Sequence, residues 1–470
     1  MSYLSSCHSG VLLRIKYLIR QVVASRRSSS VSGLAILILA VGLSACQSSG
    51  GTEAGPAATA PEPTPDATPD AGDGSPLVAL DVLGIPLDGK TKVGLLLPLS
   101  GPQAQVGQAM LRAAELALFD IAGEDFTLIV RDTAGQTEAA RAAARSVLEQ
   151  GVNLILGPLF SSSVGAVAEE AALFNVPIIT FSNNLAVAAP SVFVMGIAPQ
   201  IQVERVVDFA SRRGLQFYAT LVPSTAYGSR VVQAMRETVE QNGAELKRVG
   251  FYDPSATDVS EEVKVLANYD QRNKELLEER ALLEESDDEA SKLALERLED
   301  KETLGPPDFE ALLLAEGGNQ LLTLAPLLAF YDVDPAEVQF LGTSLWNDPS
   351  LGNEPTLQGG WFAAPAPELW QGFASRYQET FQEGPPRVVS LAYDAVALAA
   401  ILARLAENNE EVARYDVETL TNPNGFSGID GIFRFLPDGR VERALAVLEM
   451  RRNGFRTLEA APTTFQPLIN

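Results

Sequence analysis

From residue 92 almost to the end of the chain, short apolar runs alternate with segments of helical periodicity, and this alternation limits the fold more than any other feature. Residues 92–97 (KVGLLL) read as a strand buried on both faces, residues 104–119 as a helix, and residues 126–131 (FTLIVR) as a strand again. An Ala-rich helix at 137–150, a strand at 152–156 (VNLIL), a helix at 164–174 and a strand at 176–180 (VPIIT) continue the series. Strands joined through helices by short connections form βαβ units, hence a parallel sheet covered on both faces.

The pattern restarts after Pro199, with helices at 203–213 and 227–242 and strands at 216–222 and 245–252. It resumes with a strand at 310–315, a helix to 330, a strand at 338–341 and helices at 367–382 and 388–405. Runs at 431–435 (GIFRF) and 441–449 (VERALAVLE), joined by Leu436-Pro437-Asp438-Gly439, read as a closing hairpin. So many elements exceed one core, and the expected fold class is α/β: two doubly wound parallel-sheet lobes with a cleft between them. Lobe 1 is expected at 89–200 and 346–425, and lobe 2 at 201–345 and 426–460. Between them, residues 258–307 are dense in Glu, Lys, Arg and Leu and read as a charged helical insertion within lobe 2, two helices broken around 285–290. It is either a solvated face or an arm that docks a partner.

Ahead of the folded part, residues 1–45 carry five cations (Arg14, Lys16, Arg20, Arg26, Arg27), no acid and the apolar run 31–43, the layout of an export signal. Leu43-Ser44-Ala45-Cys46 resembles a bacterial lipobox, which implies that Cys46 is lipidated and becomes the mature N-terminus. Residues 46–88, rich in Pro, Ala, Gly and acids, read as a disordered tether. Once the leader is removed no histidine and no cysteine besides Cys46 remain, since His8 and Cys7 precede the cleavage point. That excludes a His base, a Cys nucleophile and any His-bearing metal site. The formal charge of −25 becomes about −30 when the five leader cations are lost, and such a surface repels nucleic acid. No phosphate loop, metal spacing or G-x-S-x-G occurs, so the expectation is a non-enzyme without cofactor or metal.

KVGLLLPLSGPQAQVGQAMLRAAELAL, NLILGPLFSSSVGAVAEEAALFNVPIIT, PSTAYGSRVVQAM and GIDGIFRFLPDGRVERALAVLEM occur in that order. Together they resemble the type I periplasmic binding-protein fold of leucine-type amino-acid receptors. In open α/β sheets ligands sit at the carboxyl ends of strands, near unpaired N–H groups. Ser100 and Gly101, Ser161 and Ser162, and Ser182, Asn183 and Asn184 follow strands and are candidate cleft residues, although each also suits ordinary N-capping. The resemblance implies that Ser161 and the 182–184 loop hold a ligand carboxylate and that Tyr227 is the second lobe's cleft tyrosine. It also puts Ser344, in GTSLWND, where the receptors carry the acid that holds the ligand ammonium. Asp348 would substitute only if its loop folds back, and Trp346 is a candidate to fill part of the cleft.

The same segments resemble penicillin-binding protein activators, outer-membrane lipoproteins that touch a peptidoglycan synthase. That branch implies an anchor at the periplasmic face of the outer membrane, since Gln47 rather than aspartate follows Cys46. The expectation is therefore a non-catalytic regulator of peptidoglycan synthesis, with a membrane contact through lipid and a synthase as partner. The alternative is a solute-binding receptor for leucine-type amino acids or related small ligands in ABC transport.

Overall fold

The computed structural model describes residues 91–465 except 124, 287 and 409–413; the leader, Cys46 and the tether lie outside the described residues. Strands β1 (Thr91–Leu97), β2 (Phe126–Asp132), β3 (Leu154–Leu156), β4 (Ile178–Thr180) and β5 (Val192–Val194) pair in parallel in the order β2-β1-β3-β4-β5. Helices α1 (Ala104–Ile121), α2 (Thr137–Leu148) and α3 (Ser161–Ala172) are crossovers between them. The two faces divide the residues of β1: Val93, Leu95 and Leu97 pack with Met110 and Ala113 of α1, and Leu96 with Ala144 and Val147 of α2. Each fully buried leucine contributes about 1.5–3 kcal/mol over an exposed one, so an apolar residue at every position, rather than every second, marks a strand covered twice.

The second lobe repeats the scheme. It begins with α4 (Pro199–Arg212), β6 (Phe217–Pro223), α5 (Ala226–Gln241) and β7 (Glu245–Tyr252), then α6 (Ser260–Ala267), α7 (Tyr269–Glu285) and α8 (Glu289–Leu298). Strand β8 (Ala311–Leu314), α9 (Gly318–Phe330), β9 (Gln339–Gly342) and β10 (Trp361–Ala364) complete it. Leu312 and Leu314 of β8 face one cluster and Ala311 and Leu313 the other. In both lobes a helix glycine seats its helix on the preceding strand end. A Cβ on Gly107 would lie 2.0 Å from the Pro98 carbonyl oxygen, and one on Gly228 2.0 Å from that of Pro223.

The chain then returns to the first lobe. Helices α10 (Pro367–Phe381) and α11 (Val389–Asn408) pack beside α1, and β11 (Phe426–Gly428), β12 (Gly431–Phe435) and β13 (Val441–Arg443) form a small antiparallel sheet. Phe433, Phe435 and Val441 complete the first-lobe core, and the Val194 N–H donates to the Gly439 carbonyl at 2.8 Å. Finally β14 (Ala446–Arg451) and β15 (Gly454–Glu459) rejoin the second sheet, antiparallel, giving the order β15-β14-β10-β9-β8-β6-β7.

Two expectations need correction. The return to lobe 1 falls after Ala364, not at 346, because Trp361–Ala364 pairs with β9 and β14 in the second sheet. The run 441–449 is not one strand: it breaks at 444–445, so 426–443 belongs with the first lobe and only β14 and β15 with the second. Within the insertion 258–307, Val263 and Leu266 of α6 are buried under the second sheet. What projects is the α7–α8 pair, with Leu277, Leu282 and Leu293 exposed.

Candidate ligand-binding cleft

The described chain passes between the lobes at 195–198, 365–366 and 444–445, and these passages are tied together. Arg443 donates to the Met195 carbonyl from Nη2 at 2.6 Å and from Nε at 3.2 Å. Gln202 Nε2 donates to the carbonyls of Ile197 (3.0 Å) and Ala198 (3.1 Å), while its Oε1 accepts the Ser344 N–H at 2.7 Å. The loop after β9 is thereby held to the first passage.

Beside this hinge lies a cavity of about 460 Å³. The first lobe contributes Gln103, Phe160 and Asn183, and the loop after β9 contributes Ser344 and Leu345. The returning segments add Arg387, Ser390 and Asp430. Arg387 Nη2 lies 2.9 Å from Asp430 Oδ1, its guanidinium sits 4.0 Å over the Trp370 ring, and its Nε and Nη1 are buried without a hydrogen-bond partner. Burial pulls the Arg387 pKa below its ordinary value, and the attraction of Asp430 opposes that only in part. Asp430 Oδ2 accepts from Ser390 Oγ at 2.6 Å.

Of the sequence-expected residues, Asn183 and Ser344 line this cavity. The others do not line it. Ser100 Oγ donates to Asp132 Oδ2 at 2.5 Å, and Asp132 also accepts the N–H groups of Leu99, Ser100 and Ala134. Burial pushes the Asp132 carboxyl up, but these hydrogen bonds outweigh it and hold the group below the usual range. Gly101 takes φ +79° to turn that loop. Ser161 and Ser162 open α3, whose N-terminus has no side-chain cap. Ser182 Oγ accepts the Asn184 N–H at 3.1 Å, and Asn184 Oδ1 caps a short 3-10 turn through the Ala186 N–H.

In the second lobe, the Tyr227 hydroxyl lies 3.3 Å from Thr343 Oγ1, and burial pushes its pKa up to about 12. Asp348 does not fold back into the cleft: it is exposed and caps its own loop through the Ser350 N–H at 2.9 Å. Trp346 leaves the cleft too, because it is fully buried in the second-lobe core with its Nε1–H on the Leu314 carbonyl at 3.2 Å. Sequence reading missed Gln103, Arg387, Ser390 and Asp430. The available signal was Arg387 itself, a cation set between Pro385-Pro386 and Val388-Val389.

Two α/β lobes are joined by three passages beside this cavity, and a model of the periplasmic binding protein family matches residues 90–455. The chain belongs to that family. A candidate branched-chain amino acid ABC transporter from Rhodospirillum rubrum is 20% identical, with a TM-score of 0.60 over 78% of this chain and 100% of that one. The branched-chain amino acid transporter substrate-binding protein LivJ from Streptococcus pneumoniae, solved with isoleucine, is 17% identical, with a TM-score of 0.53 over 79% and 100%. At these identities the likeness to both is one of fold. Among curated proteins, an uncharacterized protein of Rickettsia prowazekii is 27% identical over 190 residues, 40% of this periplasmic binding protein and 50% of the relative. The chain thus spans about half the length of the curated relative that it matches.

Proposed function

We propose that this chain is a non-catalytic solute-binding protein that takes a small ligand between its lobes. The observation that carries the proposal is the cavity of about 460 Å³ beside the three passages, apolar at Phe160, Phe181 and Leu345 and polar at Asn183, Ser344 and Arg387. Ligand sites of this kind combine apolar walls with a few orienting polar groups. Solute binding in S. pneumoniae LivJ, a protein of the same fold, supports the reading. The proposal keeps the lipid anchor at Cys46 on the periplasmic face of the outer membrane, which is read from the sequence alone.

A thermal-shift panel of amino acids, carboxylates, sugars and polyamines tests it on the purified protein. A ligand at 100 times its Kd adds about 2.7 kcal/mol, so a binder raises Tm visibly. If no compound shifts Tm, solute binding fails. A second reading, a regulator that touches a peptidoglycan synthase, is favoured by one observation: α7 and α8 project with Leu277, Leu282 and Leu293 exposed. It requires that a synthase be retained by the protein and lost when residues 269–303 are replaced by a short linker.

A further inference from the structure

The charged groups around the cavity favour one sign of ligand. Asp430 is the acid that lines it: its Oδ2 accepts from Ser390 Oγ, and its Oδ1 is ion-paired with Arg387 at 2.9 Å without a hydrogen bond. Glu316, just past the end of β8, accepts the Tyr252 hydroxyl and the Gly317 N–H, and it does not line the cavity. Ser344, which lines the cavity, bears no charge, and Asp348 faces away into its own turn. A ligand ammonium would leave water for this cavity and meet only a carboxylate already ion-paired to Arg387, at a cost of several kcal/mol.

Arg387 presents the opposite case. Its Nη2 is ion-paired with Asp430, and Nε, Nη1 and Nη2 are all buried donors without a hydrogen-bond partner, in a population where nearly all such groups are satisfied. A planar guanidinium edge matches a carboxylate in shape and charge. The rest of the lining includes Phe160, Phe181, Leu345 and Leu391, which suit an apolar body.

Resting on the solute-binding reading above, we propose that the ligand is a small carboxylate with an apolar body and no ammonium group, held by Arg387. The surroundings of Arg387 agree. Behind it stand Asp430, Asp394 and Arg443, and burial, followed by repulsion from Asp430, raises Asp394 to about 7. Two arginines stand with two aspartates here, so the group carries no net negative charge in either state of Asp394.

Matched compounds test the assignment by calorimetric titration of the purified protein. Isocaproate is leucine without its ammonium group, and isoamylamine is leucine without its carboxylate. 3-Phenylpropanoate, phenylalanine and phenethylamine form the aromatic trio. At least one carboxylate is expected to bind about tenfold or more tighter than its amino acid, with no binding of either amine. Arg387→Gln is expected to abolish that binding. Because this variant strands Asp430, the double variant Arg387→Gln/Asp430→Asn, which removes both charges, must lose binding as well while melting cooperatively.

An amino acid that binds tighter than its carboxylate twin overturns the inference, as does a double variant that retains affinity; either leaves solute binding intact. Silence with all six compounds also overturns it. The broad thermal-shift panel then tells whether another solute binds or whether the solute-binding reading falls too.

Discussion

Asp394 on α11 faces the turn after β11, where its Oδ1 accepts the Ile429 N–H at 2.8 Å and its Oδ2 has no partner. Asp430, Arg387 and Arg443 are the charged groups around it. Burial is the larger cause of its raised pKa, so the native state binds a proton that the unfolded chain has already released. The stability this confers is complete below the unfolded value near 3.8, declines as pH rises from there to about 7, and is gone above it. Carboxylates held low, such as Asp132 and Asp253, finish titrating beneath that window. Melting curves at pH about 5 and about 8 should show the wild type losing stability across the interval and Asp394→Asn losing much less. Equal slopes in the two proteins would show that Asp394 is ionised throughout.

Among the elements, the α7–α8 pair depends on one buried cation. Arg272 donates to the carbonyls of Gly305 (2.5 Å), Ala267 (3.2 Å) and Asp332 (3.3 Å) and pairs with Asp332 Oδ2 at 3.7 Å, which roots the pair to α6 and to the end of α9. Asp288 caps α8 through the Ser291 N–H, and its hydrogen bonds, that of Ser286 first, hold its pKa down to about 2. Arg272→Met should leave three carbonyls without a donor and cost about 3–5 kcal/mol locally. Hydrogen exchange in 269–303 would then accelerate while β1 and β8 stay protected; uniform acceleration throughout would mean that the pair is not a separate unit.

The same scale explains what the sequence could and could not tell. KVGLLL, VNLIL, VPIIT and EALLL were legible because a strand covered on both faces is apolar at every position. Strand β10 (WFAA, between Gly360 and Pro365) is short and carries two alanines, and β15 (GFRTLE) is a half-exposed edge, so neither stands out. The break inside VERALAVLE was invisible since both halves are apolar, one for each core. For the cleft, Asn183 and Ser344 were legible as polar residues following strands. Arg387 and Asp430 were not, because they meet only when α11 packs against the small sheet.

For the molecule as a whole, Arg443 matters most. It is buried, it holds the third passage to the carbonyl of the first, and it lies over the Phe433 ring at 5.0 Å. Arg205 adds a bond from α4 to the Leu445 carbonyl at 2.8 Å. Arg443→Leu should therefore cost about 3–5 kcal/mol in denaturant unfolding, because the buried Met195 carbonyl loses its donor and Asp430 and Asp394 lose a nearby cation. A loss within about 0.5 kcal/mol, the usual range for surface changes, would mean that the passages do not rely on it.

The interleaving of the lobes also orders events in time. Met110 and Phe193, near the start of the described chain, share a core with Val396, Phe433 and Val441, near its end. A ribosome releases those late residues last, so the first-lobe core can be completed only when almost the whole chain has been made.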